Sequence, residues 1–185
     1  RGKSASLHVV SPARRASTEI VAIGASTGGP KALSEIFRRL PRSFPTPIVV
    51  VQHIGRDFLV GLVEWLESQS TNPVRIARAN EVLYPGTIFF APAGYHMAVT
   101  STGMVKLNDD PPVNSCKPSI DVCFVSLAHS YASRSVAVLL TGMGSDGAEG
   151  MAAIKEAGGR TLAQDRETSV IFGMPQAAWQ RGGVD

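Results

Sequence analysis

Residues 20–30 read IVAIGASTGGP, and this stretch decides the fold class. The run IVAIGA at 20–25 is short, continuous and apolar, which reads as a buried strand. STGGP at 26–30 is a turn, because two glycines and a proline interrupt any regular element. KALSEIFRRL at 31–40 then has helical spacing. A buried strand thus passes through a tight glycine turn straight into a helix.

The same alternation recurs along the rest of the chain. Residues 41–47 contain three prolines and form a loop, and PIVVVQH at 47–53 is a second buried strand. A helix follows at about 57–69, with Leu59, Leu62, Val63 and Leu66 on one face. VRIAR at 74–78 and TIFFAP at 87–92 read as strands, and HMAVTSTGMVKLN at 96–108 as a hairpin. DDPPVNSCKP at 109–118 is an irregular loop before a helix over 119–132. SVAVLL at 135–140 is a third strongly apolar strand, followed by the glycine turn TGMGSDG at 141–147 and a helix near 148–157. Gly158–Gly159 stops that helix, RTLAQD at 160–165 suggests another strand, and PQAAWQ begins a last helix. Apolar strands separated by helices predict an α/β fold: doubly wound, mainly parallel, with helices on both faces and a small hairpin near the active-site edge. Such sheets bind ligands beyond the C-terminal ends of their strands.

Composition narrows the function classes. The chain has 185 residues, 44% hydrophobic and 18% charged, which suits a globular domain. Of 18 basic and 15 acidic residues, four basic and one acidic fall in residues 1–19, leaving 14 of each in 20–185. The formal charge of +3 therefore belongs to the leading segment, and a neutral body predicts no nucleic-acid binding. Residues 1–18 read as a linker or arm and 19–185 as the organised domain. Cys116 and Cys123 form no C-x-x-C pair, and no apolar run reaches the ~18 residues of a membrane span, so no membrane insertion and a cytoplasmic location are expected.

Three side chains stand just past predicted strands: Ser26, His53 and Asp146. At a strand–turn–helix junction a serine hydroxyl is exposed above the sheet edge, beside unpaired helix N–H groups. Ser26 reads as a nucleophile, with helix capping by Ser26 or Thr27, or a phosphate nest, as the alternatives. His53 would serve as general base and Asp146 as its orienting carboxylate. Asp146 could instead cap the helix at 148–157 or bind Mg²⁺, with Asp165 as the next orienter. The N–H groups of Thr27 and Met143 are the oxyanion candidates. A zinc site would need clustered ligands, and the spacing offers neither H-E-x-x-H nor a close cysteine pair, so neither metal nor cofactor is expected. The chain order Ser, His, Asp differs from that of α/β-hydrolases, in which the histidine comes last.

The strings VAIGASTGGP (21–30), VVVQHI (49–54), APAGYHM (91–97), LLTGMGSDGAEGM (139–151) and QDRETSVIFGMP (164–175) together resemble the chemotaxis methylesterase (CheB-type) catalytic domain. The resemblance implies hydrolysis of glutamate methyl esters on methyl-accepting chemotaxis receptors with release of methanol, and in many members deamidation of receptor glutamines. It matches the family's catalytic serine to Ser26, its histidine to His53, its aspartate to Asp146 and an oxyanion donor to Met143. It further implies an N-terminal receiver domain in the full-length protein, with residues 1–18 as the linker, and a C-terminal extension beyond the GGVD string. HIGRDFLVGLVEWL at 53–66 departs from the family's proline-rich, basic pattern at this point, which bears on receptor selectivity. The alternative is a non-catalytic regulatory or receptor-interaction domain of the same fold.

Overall fold

The computed structural model describes residues 17–185, so nearly all of the expected arm at 1–18 lies outside the described residues. The element order is β1 (Ile20–Ala25), α1 (Gly29–Phe37), β2 (Ile48–Gln52), α2 (Arg56–Gln69), β3 (Val74–Ile76), β4 (Ile88–Phe90), β5 (His96–Val99), β6 (Val105–Asn108), α3 (Ile120–Tyr131), β7 (Ser135–Leu139), α4 (Ala148–Glu156), β8 (Arg160–Ala163) and α5 (Met174–Gln180). Six strands form one sheet in the order β3-β4-β2-β1-β7-β8, and every pairing is parallel. β5 and β6 make the separate antiparallel hairpin, in register from His96↔Asn108 to Val99↔Val105. The doubly wound fold and the hairpin are those expected, with element ends moved by a few residues. None of the described helices is long and apolar enough to cross a membrane.

Period-two alternation along β1 splits the core in two. Ile20 and Ala22 join Val49, Val51, Phe89, Phe124, Leu127 and Met151 beneath α3 and α4. Ile23 and Ala25 join Val50, Phe90, Leu33, Phe37, Leu62 and Leu66 beneath α1 and α2. Both faces of the central strands are therefore dry, which is why they read as continuous apolar runs.

Two features aim this scaffold at one edge. β1 lies between β2 and β7, so the strand order reverses beside it, and the loops after β1, β2 and β7 open at a switch point. Gly24, near the end of β1, lets α3 come close: a Cβ there would lie 2.5 Å from Ile120 Cγ2. The start of α3 is thereby brought beside the same edge.

Candidate active site

Ser26 follows β1 directly. Its N–H donates to Thr141 C=O at 3.0 Å, and the His53 N–H donates to Ala25 C=O at 2.9 Å. These bonds extend the β7–β1–β2 pairing by one residue and set the three loops side by side. Gln52, only 4% exposed, then ties two of them together. Its Nε2 donates to both Ser26 C=O and His53 C=O, each at 2.9 Å. Gly142 leaves room for the serine, since a Cβ there would lie 2.6 Å from Ser26 Cβ.

The imidazole and the carboxylate meet. His53 Nε2 lies 2.8 Å from Asp146 Oδ2. Asp146 is 2% exposed and is held from several sides. Ile120 N–H donates to Oδ2 at 2.7 Å, while Ser119 Oγ (2.7 Å), Asp121 N–H (3.2 Å) and Asn114 Nδ2 (3.2 Å) donate to Oδ1. The carboxylate thus sits on the N-terminus of α3, where unpaired N–H groups and the helix dipole favour an anion. Burial pushes its pKa up, but His53, Ile120 N–H, Ser119 and Asp121 N–H outweigh that and hold it below the ordinary aspartate range. An ionised Asp146 fixes a proton on His53 Nε2 and leaves Nδ1 as the basic nitrogen.

The Ser26 hydroxyl makes no hydrogen bond among the described residues. The expected serine–imidazole bond is therefore not formed here, whereas the imidazole–carboxylate bond is. Catalytic hydrogen bonds are often long before substrate binds. The N–H groups of Thr27 and Met143 find no acceptor among the described residues, so both are free to bind an oxyanion. Met143 is 74% exposed, which leaves that side of the edge open.

The capping alternatives are not realised. The N-cap of α1 is Gly28, with no side-chain cap bond, and that of α4 is Gly147. Asp146 holds the N-terminus of α3 rather than that of the helix in its own loop. Asp165 turns its carboxylate to Thr168 N–H and Oγ1 at 2.8 and 2.7 Å. Asp121 is a buried structural acid whose pKa burial raises; Gly150 N–H, at 2.7 Å from Oδ1, pulls the other way, and the Asp146 charge raises it further. His96 is 1% exposed. Its Nδ1 accepts from Ser119 N–H at 3.1 Å and its Nε2 donates to Pro111 C=O at 3.0 Å, a structural role beneath the Asp146 cradle.

Sequence reasoning missed three contributors. Gln52 had one signal, a polar residue closing an apolar strand. Asn114 bridges Asp121 Oδ2 (2.7 Å) and Asp146 Oδ1. Cys116 brings Sγ to 3.8 Å from His53 Nδ1. Both come from the segment read only as an irregular loop. It contains a tight turn in which Val113 and Cys116 exchange backbone hydrogen bonds at 3.1 and 2.9 Å. Asn114 and Ser115 occupy its centre at φ 51° and 61°, the positive values that a mirror-image hairpin turn demands. Burial, then the Asp146 and Asp121 charges, push the Cys116 thiol up to about 11, so it is no thiolate nucleophile at neutral pH.

This geometry has close relatives. The chain is 51% identical over 174 residues to protein-glutamate methylesterase/protein-glutamine glutaminase 2 of Anaeromyxobacter dehalogenans, covering 94% of this chain and 51% of that protein. It is 43% identical over 165 residues to protein-glutamate methylesterase FrzG of Myxococcus xanthus, covering 89% and 49%. The chain thus spans about half the length of these curated relatives. The crystal structure of the Thermotoga maritima CheB methylesterase catalytic domain superposes with a TM-score of 0.88 at 40% identity, covering 92% of each chain. The family model for the CheB methylesterase matches residues 21–185, and the chain belongs to that family.

Proposed function

We propose that this domain is a serine hydrolase that removes methyl esters from glutamate side chains of methyl-accepting chemotaxis receptors, with Ser26, His53 and Asp146 as its catalytic groups. The observation that carries the proposal is the buried Asp146 carboxylate, 2.8 Å from His53 Nε2 and one strand away from Ser26. That pairing directs the Nε2 proton to the carboxylate and leaves the Nδ1 lone pair to accept a proton, the task of a general base.

Ser26 Oγ attacks the ester carbonyl as its proton passes to His53 Nδ1, and Asp146 stabilises the imidazolium. The N–H groups of Thr27 and Met143 hold the oxyanion. His53 then gives the proton to the departing methoxy oxygen, and methanol leaves. Water, deprotonated by the same nitrogen, hydrolyses the acyl-enzyme and returns Ser26 with a free glutamate carboxylate. A glutamine amide fits the same cycle with ammonia as leaving group, in keeping with the glutaminase activity in the relatives' names. The exposed edge around Thr27 and Met143 suits an ester that arrives attached to a protein. We further ascribe to the full-length protein a cytoplasmic location and an N-terminal receiver domain joined through residues 1–18, as the family resemblance implies.

The test is methanol release from methylated receptor by wild type and Ser26→Ala. Release is expected to fall by at least ~10³-fold in the variant with receptor binding retained. Equal rates would favour the non-catalytic domain instead.

A further inference from the structure

The environment of His53 Nδ1 meets the requirements of a metal ligand. We infer that His53 Nδ1 and Cys116 Sγ form a binding site for a soft divalent cation of the zinc type, and that its occupancy switches the esterase off. The switching part rests on the esterase reading above, whereas the binding part does not.

Three observations carry the inference. The first is spacing. Zn–S and Zn–N bonds of about 2.3 and 2.0 Å at a tetrahedral angle put sulfur and nitrogen about 3.5 Å apart. Cys116 Sγ and His53 Nδ1 are 3.8 Å apart, so the pair closes on an ion with a shift of a few tenths of an ångström. The second is the other side of the ring. A metal-bound histidine almost always donates its remaining N–H to a carboxylate or carbonyl, which fixes the tautomer and raises ligand basicity. His53 Nε2 already does so to Asp146 at 2.8 Å. Potential donor atoms of His53, Cys116 and Asp146 all lie within 4.8 Å of one another. The Asp146 oxygens are filled by the α3 N–H groups, Ser119, Asn114 and His53, so the carboxylate acts behind the histidine rather than on the ion. The third is room. A pocket of about 190 Å³ is lined by His53, Ile54, Ser115, Cys116, Lys117 and Pro118, space for an ion and the waters that complete its coordination. The Lys117 ammonium is drawn to the Asp109 carboxylate, which reduces its repulsion of a cation. The Val113–Cys116 turn holds the thiol in place beforehand.

On binding, the Cys116 S–H bond breaks, its proton goes to solvent, and the thiolate pair becomes a bond to the cation. The Nδ1 lone pair, the one that must accept the Ser26 proton, is then occupied. No oxidation or reduction takes place, and a chelator reverses the process.

The experiment uses the full-length protein titrated with Zn²⁺ and, separately, with Co²⁺. Co²⁺ bound at the site should show a thiolate-to-metal charge-transfer absorption in the near ultraviolet, absent from Cys116→Ser and from His53→Ala. This readout needs no turnover, so it survives if the esterase reading fails. Cys123 is fully buried and does not compete. In the activity arm, Zn²⁺ should stop methanol release by wild type and EDTA should restore it. Cys116→Ser, measured against its own zinc-free rate, should need at least about tenfold more Zn²⁺ for the same inhibition. A charge-transfer band that persists in Cys116→Ser overturns the site. Equal Zn²⁺ sensitivity of wild type and Cys116→Ser overturns the switch.

Discussion

Asp146 brings together more of the molecule than any other residue near the site. Its two oxygens receive donors from β2's following residue, from the turn at 113–116 and from the start of α3. Asp146→Asn keeps the shape but replaces an acceptor with a donor, facing groups that are all donors. We expect kcat to fall by about 10³–10⁴ with KM little changed, read from methanol release at neutral pH. Leaving buried donors unpaired should also cost about 1–3 kcal/mol in urea unfolding. The pH dependence has a definite sign. The folded-state pKa is depressed, so the carboxylate's contribution is complete above the ordinary aspartate range and is lost as pH falls through the depressed value. The stability gap between wild type and Asp146→Asn should therefore narrow below about pH 4. Ser26, His53 and Asp146 were legible one by one, because each follows an apolar strand or a glycine turn. Cys116 was not: 63 residues separate it from His53, and its loop has no period to read.

At the scale of elements, α3 links the hairpin to the site. Val99 N–H donates to Ser126 Oγ at 3.0 Å, and Ser130 Oγ donates to Val99 C=O at 2.9 Å, clasping β5 to the helix. Its first turn meanwhile binds the Asp146 carboxylate. Ser119 serves both ends: its Oγ accepts the Val122 N–H at 3.4 Å as N-cap and donates to Asp146. Ser119→Ala should lower stability by about 1 kcal/mol in urea unfolding. It should also reduce kcat several-fold with KM unchanged, since the carboxylate loses one of its fixed donors. A stability loss with kcat untouched would mean that Ser119 acts on the helix alone. The helix itself was legible over 119–132, but its use as an anion holder was not. Ile120 and Asp146 are 26 residues apart, and close packing of Ile120 against Gly24 and Gly147 brings the helix start to the sheet edge.

Over the whole molecule, the sheet divides the labour between its faces. Beneath α1 and α2, Phe37 and Phe90 meet edge to face with ring centroids 6.4 Å apart. Phe90→Ala should cost about 3–5 kcal/mol, measured by urea unfolding, because both rings are fully buried and truncation removes the contacts of a whole ring. Folded Phe90→Ala protein should keep its kcat well below the unfolding temperature, since β4 carries no group at the site. Reading the chain alone gave the strands and helices, their parallel arrangement and the sheet edge beyond which Ser26, His53 and Asp146 lie. Those follow from local periodicity and from glycine turns placed after apolar runs, properties of neighbouring residues. Only the tertiary structure decided which helix start would hold Asp146, that Gln52 would lock the carbonyls of Ser26 and His53, and that a cysteine would face the imidazole. These depend on how closely elements distant in the chain approach in space. That approach is set by side-chain volume at contacts such as Gly24 with Ile120, which no linear pattern records.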